Sequence, residues 1–177
     1  MAQTWSGTWR ERWAWILTAP LLLFSPYWIT NHLPLREARE VGLTAFDRAI
    51  PFWPWATPVY LLLFPMMQVI MVILPLPRLR RWMAACAVCC WTVAVVFAIW
   101  PTAMPRPVEA SGWWSYDALI RHDEPRNISP SLHGTFAVLN ALTLGSHGGR
   151  TWGLIAGAVS VVVILATVAV RQHGIMD

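Results

Sequence analysis

The chain reads as an all-α protein, a polytopic transmembrane helix bundle, and three observations lead there. Hydrophobic residues make up 56% of its 177 residues and charged residues only 12%, about half the charged share of an ordinary soluble domain. The mean hydropathy is +0.48. The apolar residues fall in long uninterrupted runs whose ends carry many of the thirteen tryptophans, where an indole suits a membrane interface.

The same observations exclude other classes. All thirteen basic residues are arginine. They sit between apolar runs and not on one polar face, so the basic pI marks no nucleic-acid partner. Cys86, Cys89 and Cys90 lie inside one apolar run with no His or carboxylate nearby in sequence. They read as packed thiols, not as a metal or redox site.

Five spans are expected. Residues 82–100 and 152–170 carry no charge, and at the helical rise each reaches about 28 Å, near the hydrocarbon thickness. Residues 13–29, interrupted by Pro20 and Pro26, form another span, and residues 55–74, with Pro58 and Pro65, a further one. Proline is tolerated where neighbouring helices satisfy the freed carbonyls. The shorter run 131–144 contains His133 and Asn140, so it belongs inside the bundle and away from lipid. The first run follows Arg10 and Arg12 as in a signal peptide, but no small-residue cleavage site follows it. It reads as an uncleaved anchor. A single membrane-embedded domain, residues 1–177, accommodates all five.

Five crossings put alternate loops on opposite sides. Arg78, Arg80 and Arg81 crowd one short loop, on the same side as Arg10, Arg12 and Arg150. This dense side is assigned to the cytoplasm. The loop 101–130 then faces outward, into the periplasm if the setting is a bacterial inner membrane. Three polar clusters meet on that outer side. Arg106 follows the third run, Ser129 to His133 open the fourth, and His173 with Asp177 follow the fifth.

Each cluster has a chemical rationale. Ser129 before Pro130 reads as a helix N-cap with proline at the first helical position, which leaves the following N–H groups open to an anion. His133 lies one turn further in. Arg106 offers a planar fork for phosphate oxygens. On a continuing helix His173 and Asp177 share a face, so the carboxylate would hold one imidazole nitrogen and leave the other to attack. Each residue also has a plain structural reading, as an interfacial anchor, a polar helix start or a solvated tail. Convergence on one face is what favours chemistry.

The order Arg-Pro at 106–107, Pro-Ser-Leu-His at 130–133 and His-x-x-x-Asp at 173–177 resembles the type 2 phosphatidic acid phosphatase superfamily. The branch is similar to inositol phosphorylceramide synthases. Asp123, Pro125 and Asn127, Pro101-Thr102 ahead of Arg106, the segment 47–52 and Gln172 before His173 extend the resemblance from about residue 47 onward. It implies that His173 attacks phosphorus to form a phosphohistidine, that His133 protonates the leaving alkoxide and that Asp177 orients His173. Arg106, Ser131 and the backbone at Leu132 would hold phosphoryl oxygens, with Asn127 and Thr167 as further candidates. No metal or cofactor is implied.

The implied activity is phosphatase action on a phosphorylated lipid at the outer membrane face, with membrane lipids as the surroundings. Headgroup transfer to an alcohol and non-catalytic phospholipid binding stand as alternatives, and a metal site from His133, His173 and Asp177 as a more remote one. The chain departs from the family in three places. The lysine that the superfamily carries ahead of its arginine falls at Ile99. The third motif opens with Ala166 and Thr167, which removes one hydroxyl and a second arginine. The sixth span implied by the resemblance would lie beyond Asp177.

Overall fold

The structure is a computed structural model that describes residues 5–33, 35–107 and 111–175. Helix accounts for 72% of it and strand for 3%, the all-α class that the composition predicts. The first helical run is α1 (Trp5–Ala19), a π turn (Pro20–Phe24) and α2 (Ser25–His32). Pro20 removes an amide donor and its ring crowds the preceding turn, so the helix widens there without breaking. The two residues of β1 (Arg39–Glu40) and the short α3 (Ala45–Ala49) follow. A 3-10 turn (Pro54–Ala56), α4 (Thr57–Tyr60) and α5 (Leu63–Ile73) form the next run, and α6 (Leu76–Ile99) the one after. β2 (Thr102–Ala103), α7 (Trp114–His122) and α8 (Leu132–Ala169) complete the chain.

Among the described residues, three helices are long and apolar enough to cross a membrane: Pro54–Ile73, Leu76–Ile99 and Leu132–Ala169. α6 starts at Leu76, ahead of the expected residue 82, because proline occupies its first turn. Arg78, Arg80 and Arg81 therefore lie on a helix and not in a loop.

The 38 residues of α8 are not one straight rod. Gly149 (φ 81°, ψ −171°) breaks the helix, a conformation that glycine adopts freely. The two halves then run back along each other. Ser160 Oγ donates to the carbonyl of Ala137 at 2.7 Å. Nearer the turn, a Cβ added to Gly145 would lie 3.1 Å from the Cα of Gly153, and the reverse holds as well. Two small residues thus let the two backbones touch. α5 and α6 pack against this hairpin, and Leu63, Met67, Met83, Cys86, Phe97, Phe136 and Val163 share the resulting core. Asn140 is fully buried there, and its Oδ1 accepts from Trp82 Nε1 at 3.2 Å, so this polar residue lies inside the bundle as expected, while Val138 and Leu142 of the same run are exposed and the run is not enclosed throughout.

One end of the bundle is tied by arginines. Arg12 donates to the carbonyls of Met71, Val72 and Leu74 at 2.8, 3.0 and 2.6 Å, which satisfies the exposed C-terminus of α5. Arg80 makes a two-bond ion pair with Glu11, both bonds at 2.7 Å. Arg78 reaches Ser146 and His147 at the hairpin turn. The opposite end carries a two-stranded parallel ladder, β1 on β2, and the polar loops described next.

The hairpin geometry makes a sharp prediction. Gly153→Leu forces the halves of α8 apart and should lower the unfolding temperature in detergent by several degrees, as expected for about 2 kcal/mol of overpacking. Gly157 has nothing within 4 Å of an added Cβ, and Gly157→Ala should be neutral or slightly stabilising. Thermal unfolding of the two variants checks this.

Candidate active site

The site is assembled by three loops at the end of the bundle opposite Arg78 and Arg80. Thr102 on β2 fastens two of them: its Oγ1 accepts from Ser129 N–H at 2.9 Å, while Ile128 N–H donates to its carbonyl at 3.4 Å. Asn31, at the end of α2, brackets Glu124 from both sides, accepting from its N–H at 3.1 Å and donating to its carbonyl at 3.2 Å. Asn127 takes a left-handed backbone (φ 59°), which asparagine tolerates. Its Nδ2 donates to Thr30 Oγ1 at 3.0 Å.

Arg106 sits between these loops. Its Nη1 donates to the carbonyl of Asp123 at 2.6 Å, and its Nη2 donates to Asp123 Oδ2 and Gln172 Oε1, both at 2.7 Å. Tyr27 Oη donates to the other oxygen of Asp123 at 2.5 Å. The side chains of Arg106 and Asp123 are only 8% and 13% exposed. A buried charge needs such partners. The fork that the sequence offers to phosphate is thus held by Asp123 and Gln172, while Arg106 Nε is buried without a partner.

His133 and His173 face each other. His173 Nε2 lies 3.3 Å from His133 Nδ1, and His173 Nδ1 lies 2.7 Å from the carbonyl of Ile128. A carbonyl accepts only, so His173 carries its proton on Nδ1 and presents a lone pair on Nε2. His133 then donates from Nδ1 in the resting pair. The His133 ring lies 4.3 Å from Tyr60 and 6.2 Å from Phe64, centroid to centroid. His133 Nε2, Arg106 Nε and Gln172 Nε2 are buried with no hydrogen-bond partner among the described residues. Such groups are rare and point to a ligand or to water.

His133 lines a cleft of about 270 Å³, and His173 touches that cleft through His133 and is not part of its wall. Leu23, Phe24, Leu61, Leu63, Phe64, Leu119, Leu132 and Phe136 form apolar walls, and Tyr27, His122, Asp123 and His133 the polar part.

Two sequence expectations need correction. The cap of α8 is Ser131, not Ser129: Ser131 Oγ accepts from Gly134 N–H at 3.1 Å, and Ser129 is tied instead to Thr102. Leu132 is therefore the first helical residue. The last helix does not continue through His173. It ends at Ala169, because Arg171 takes a left-handed backbone (φ 58°) and the N–H groups of Gln172 and His173 both turn back to the Thr167 carbonyl. His173 and Asp177 therefore share no helical face by register, and Asp177 itself lies outside the described residues. The Thr167 hydroxyl bonds within its own helix, to Ile164 at 2.7 Å.

The third loop is anchored from the side. Asp47, 2% exposed, accepts from Ile175 N–H at 2.7 Å on Oδ1 and from Thr44 N–H and Oγ1 at 2.7 and 2.6 Å on Oδ2. Burial alone would raise its carboxyl, but the bonds from Thr44 and Ile175, with Arg171 nearby, outweigh burial and hold it below the ordinary aspartate value. That contribution to stability is complete above about pH 5 and fades as the pH falls through the lowered value.

No family model, curated protein or solved structure matches the chain. The arrangement stands on its own geometry. Arg106, Ser131, His133, Thr167 and His173 come to one end of the bundle, and Asn127 joins through its loop. Reading the sequence left Tyr27, Tyr60 and the Ile128 carbonyl unnamed, and it cited Asp47, Asp123 and Gln172 only as motif markers. A signal for the tyrosines was present: two of the three lie in apolar runs, where a hydroxyl needs a partner.

Asp123 is expected to support the fold as well as the site. Asp123→Ala leaves the buried guanidinium short of acceptors and should cost about 3 kcal/mol. Tyr27→Phe, which removes one bond to that carboxylate, should cost about 1–2 kcal/mol. Chemical unfolding in detergent measures both.

Proposed function

We propose that the chain is an integral membrane protein that hydrolyses a phosphorylated lipid through a phosphohistidine. In this reading it is one domain that crosses the bilayer five times: the run from α1 to α2, Pro54–Ile73, α6 and the two halves of α8. Supporting this, Leu17, Leu21, Val88, Val95, Leu142 and Leu154 are each more than half exposed, a surface suited to lipid. Trp53, Trp55, Trp100, Trp113 and Trp114 are exposed at the histidine end, and Trp152 at the hairpin turn, as interfacial belts require. The histidine end is assigned to the outer, periplasmic side because the arginines crowd the other.

The observation that carries the reaction is the pair of facing imidazoles, of which His133 lines an apolar cleft and His173 stands behind it with the lone pair of Nε2 turned toward His133. His173 Nε2 attacks phosphorus as the bond from phosphorus to the lipid oxygen breaks. His133 gives the departing oxygen its proton. Water then loses a proton to His133 and attacks phosphorus, which breaks the bond to nitrogen and releases phosphate. The resting separation of 3.3 Å leaves no room for phosphorus between the rings, so the His133 ring turns aside on Tyr60 as substrate enters. In this reading Arg106 Nε–H and Gln172 Nε2–H, buried with no partner among the described residues, donate to phosphoryl oxygens as charge develops.

A second outcome is transfer to an alcohol instead of water. It is favoured by a polar recess of about 650 Å³ at the same end, lined by Arg36, Glu37, Glu40 and Arg126 among others. Identification of the product as free phosphate or as a new phosphodiester lipid separates the two.

Rapid quench with labelled lipid phosphate tests the mechanism. The wild type should accumulate an acid-labile, base-stable adduct that His173→Ala lacks. His133→Ala should slow turnover by about 10²–10⁴-fold, and less for an aryl phosphate whose leaving group needs no proton. Labelled adduct at wild-type levels in His173→Ala overturns the assignment. Arg106→Lys keeps the charge but loses the fork and should be about 100-fold slower.

Topology has its own test. Single cysteines replacing Trp114 and Ser146, in a background without Cys86, Cys89 and Cys90, should label from opposite sides of sealed vesicles. Labelling of both from one side overturns the five crossings.

A further inference from the structure

The catalytic loop is gripped at two points by one neighbouring loop, and neither the resemblance nor the mechanism above assigns that grip a role. After α8 the backbone at 170–175 belongs to no helix or ladder, so the direction of the His173 side chain depends on what fixes these few residues. Fixing each one costs about 1–2 kcal/mol of backbone entropy, which must be offset locally.

Two attachments flank His173. Two residues before it, Arg171 donates from Nη1 to the Asp47 carbonyl at 2.6 Å and from Nη2 to the Ile50 carbonyl at 2.9 Å. Two residues after it, Ile175 N–H donates to Asp47 Oδ1 at 2.7 Å. Trp53 N–H adds a bond to the Ala169 carbonyl at 2.9 Å, where the helix ends. The left-handed backbone of Arg171 is uncommon for a side chain of this kind and persists where surroundings over-determine it. Here the fork does so.

Asp47 also completes the capping box of α3 with Thr44. That duty uses Oδ2, while Oδ1 is given to Ile175, 128 residues away. A five-residue helix does not require a carboxylate this deeply buried. The second oxygen accounts for it.

We propose that Asp47 is a positioning residue for His173. Held by its own loop, it fixes the backbone on the far side of the histidine while Arg171 fixes the near side, so that Nδ1 reaches the Ile128 carbonyl and Nε2 stays aimed at His133. This rests on His173 being the nucleophile, but the grip itself is measurable without turnover.

The experiment compares Asp47→Ala, Asp47→Asn and Thr44→Val in the full chain in detergent. Turnover of a lipid phosphate is followed, together with the ¹⁵N resonances of the His173 ring, assigned by loss in His173→Asn. Asp47→Ala should lower kcat about 100-fold, the scale of a misplacement of about 1 Å, with KM little changed. Its His173 resonances should move from one tautomer to a mixture. Asp47→Asn keeps an acceptor for Ile175 N–H and should recover much of both. Thr44→Val breaks the capping box but leaves Oδ1 on Ile175, and should leave the His173 resonances in place.

The proposal is overturned if Asp47→Ala leaves those resonances unmoved, or if Thr44→Val disturbs them equally, since Asp47 would then act only as a cap. Should Asp47→Ala not fold, Arg171→Gln must lower kcat and shift the same resonances. Unmoved resonances in that variant also overturn the proposal. Moved resonances in a chain with no phosphatase activity would keep the grip and reject the catalytic reading.

Discussion

A guanidinium buried at the end of a helical bundle must find acceptors, and the demand made by Arg106 organises everything near it. Asp123 supplies a carbonyl and a carboxylate oxygen, and Gln172 an amide oxygen. Asp123 is held in turn by Tyr27 on α2. One cation thus ties the first helical run, the loop after α7 and the loop that carries His173. The arginines at the other end act differently. The Arg80–Glu11 pair is largely solvated, with side chains 59% and 29% exposed, and such pairs contribute at most about 1 kcal/mol. The polar weight of the fold lies at the histidine end.

The balance between the two duties of Arg106 is a matter of geometry. Its fork is engaged by protein groups, which keeps the guanidinium in place, and its Nε–H is buried with no partner among the described residues. Gln172 repeats the pattern, with its oxygen committed to Arg106 and its Nε2 unpartnered. Each of these side chains serves the fold with one polar group and leaves another without a partner among the described residues. Ile128 contributes through its backbone. Its carbonyl decides which nitrogen of His173 holds the proton, a role that any residue type could fill.

That last point explains where sequence reading stops. Helical class and the apolar runs at Pro54–Ile73, α6 and α8 were legible, since hydropathy depends on composition alone. The partners of Asn140 and Arg106 were not legible, because they come from segments far away in the chain, but the need for partners was. The errors were local. Ser129-Pro130 has the syntax of a helix start, yet Thr102, on the distant β2, captures Ser129 and shifts the cap to Ser131. The spacing of His173 and Asp177 has the syntax of a helix face, yet Arg171 turns left-handed under the pull of two carbonyls at Asp47 and Ile50. In both places a long-range hydrogen bond overrode a short-range pattern.

The hairpin in α8 bears on how such a chain is made. Gly145 and Gly153 bring the two halves into backbone contact, and the turn at Gly149 is too short to hold a domain of its own. In the topology proposed here the half before the turn carries His133 and the half after it leads into the loop that carries His173. Neither half presents a closed surface until the other lies beside it: Ser160 needs the Ala137 carbonyl, and each glycine leaves a groove that its counterpart fills. During biosynthesis the two would therefore leave the translocation machinery as a pair, and the two histidines would arrive at the outer face in one event. The histidine pair would then form only once both halves are in place.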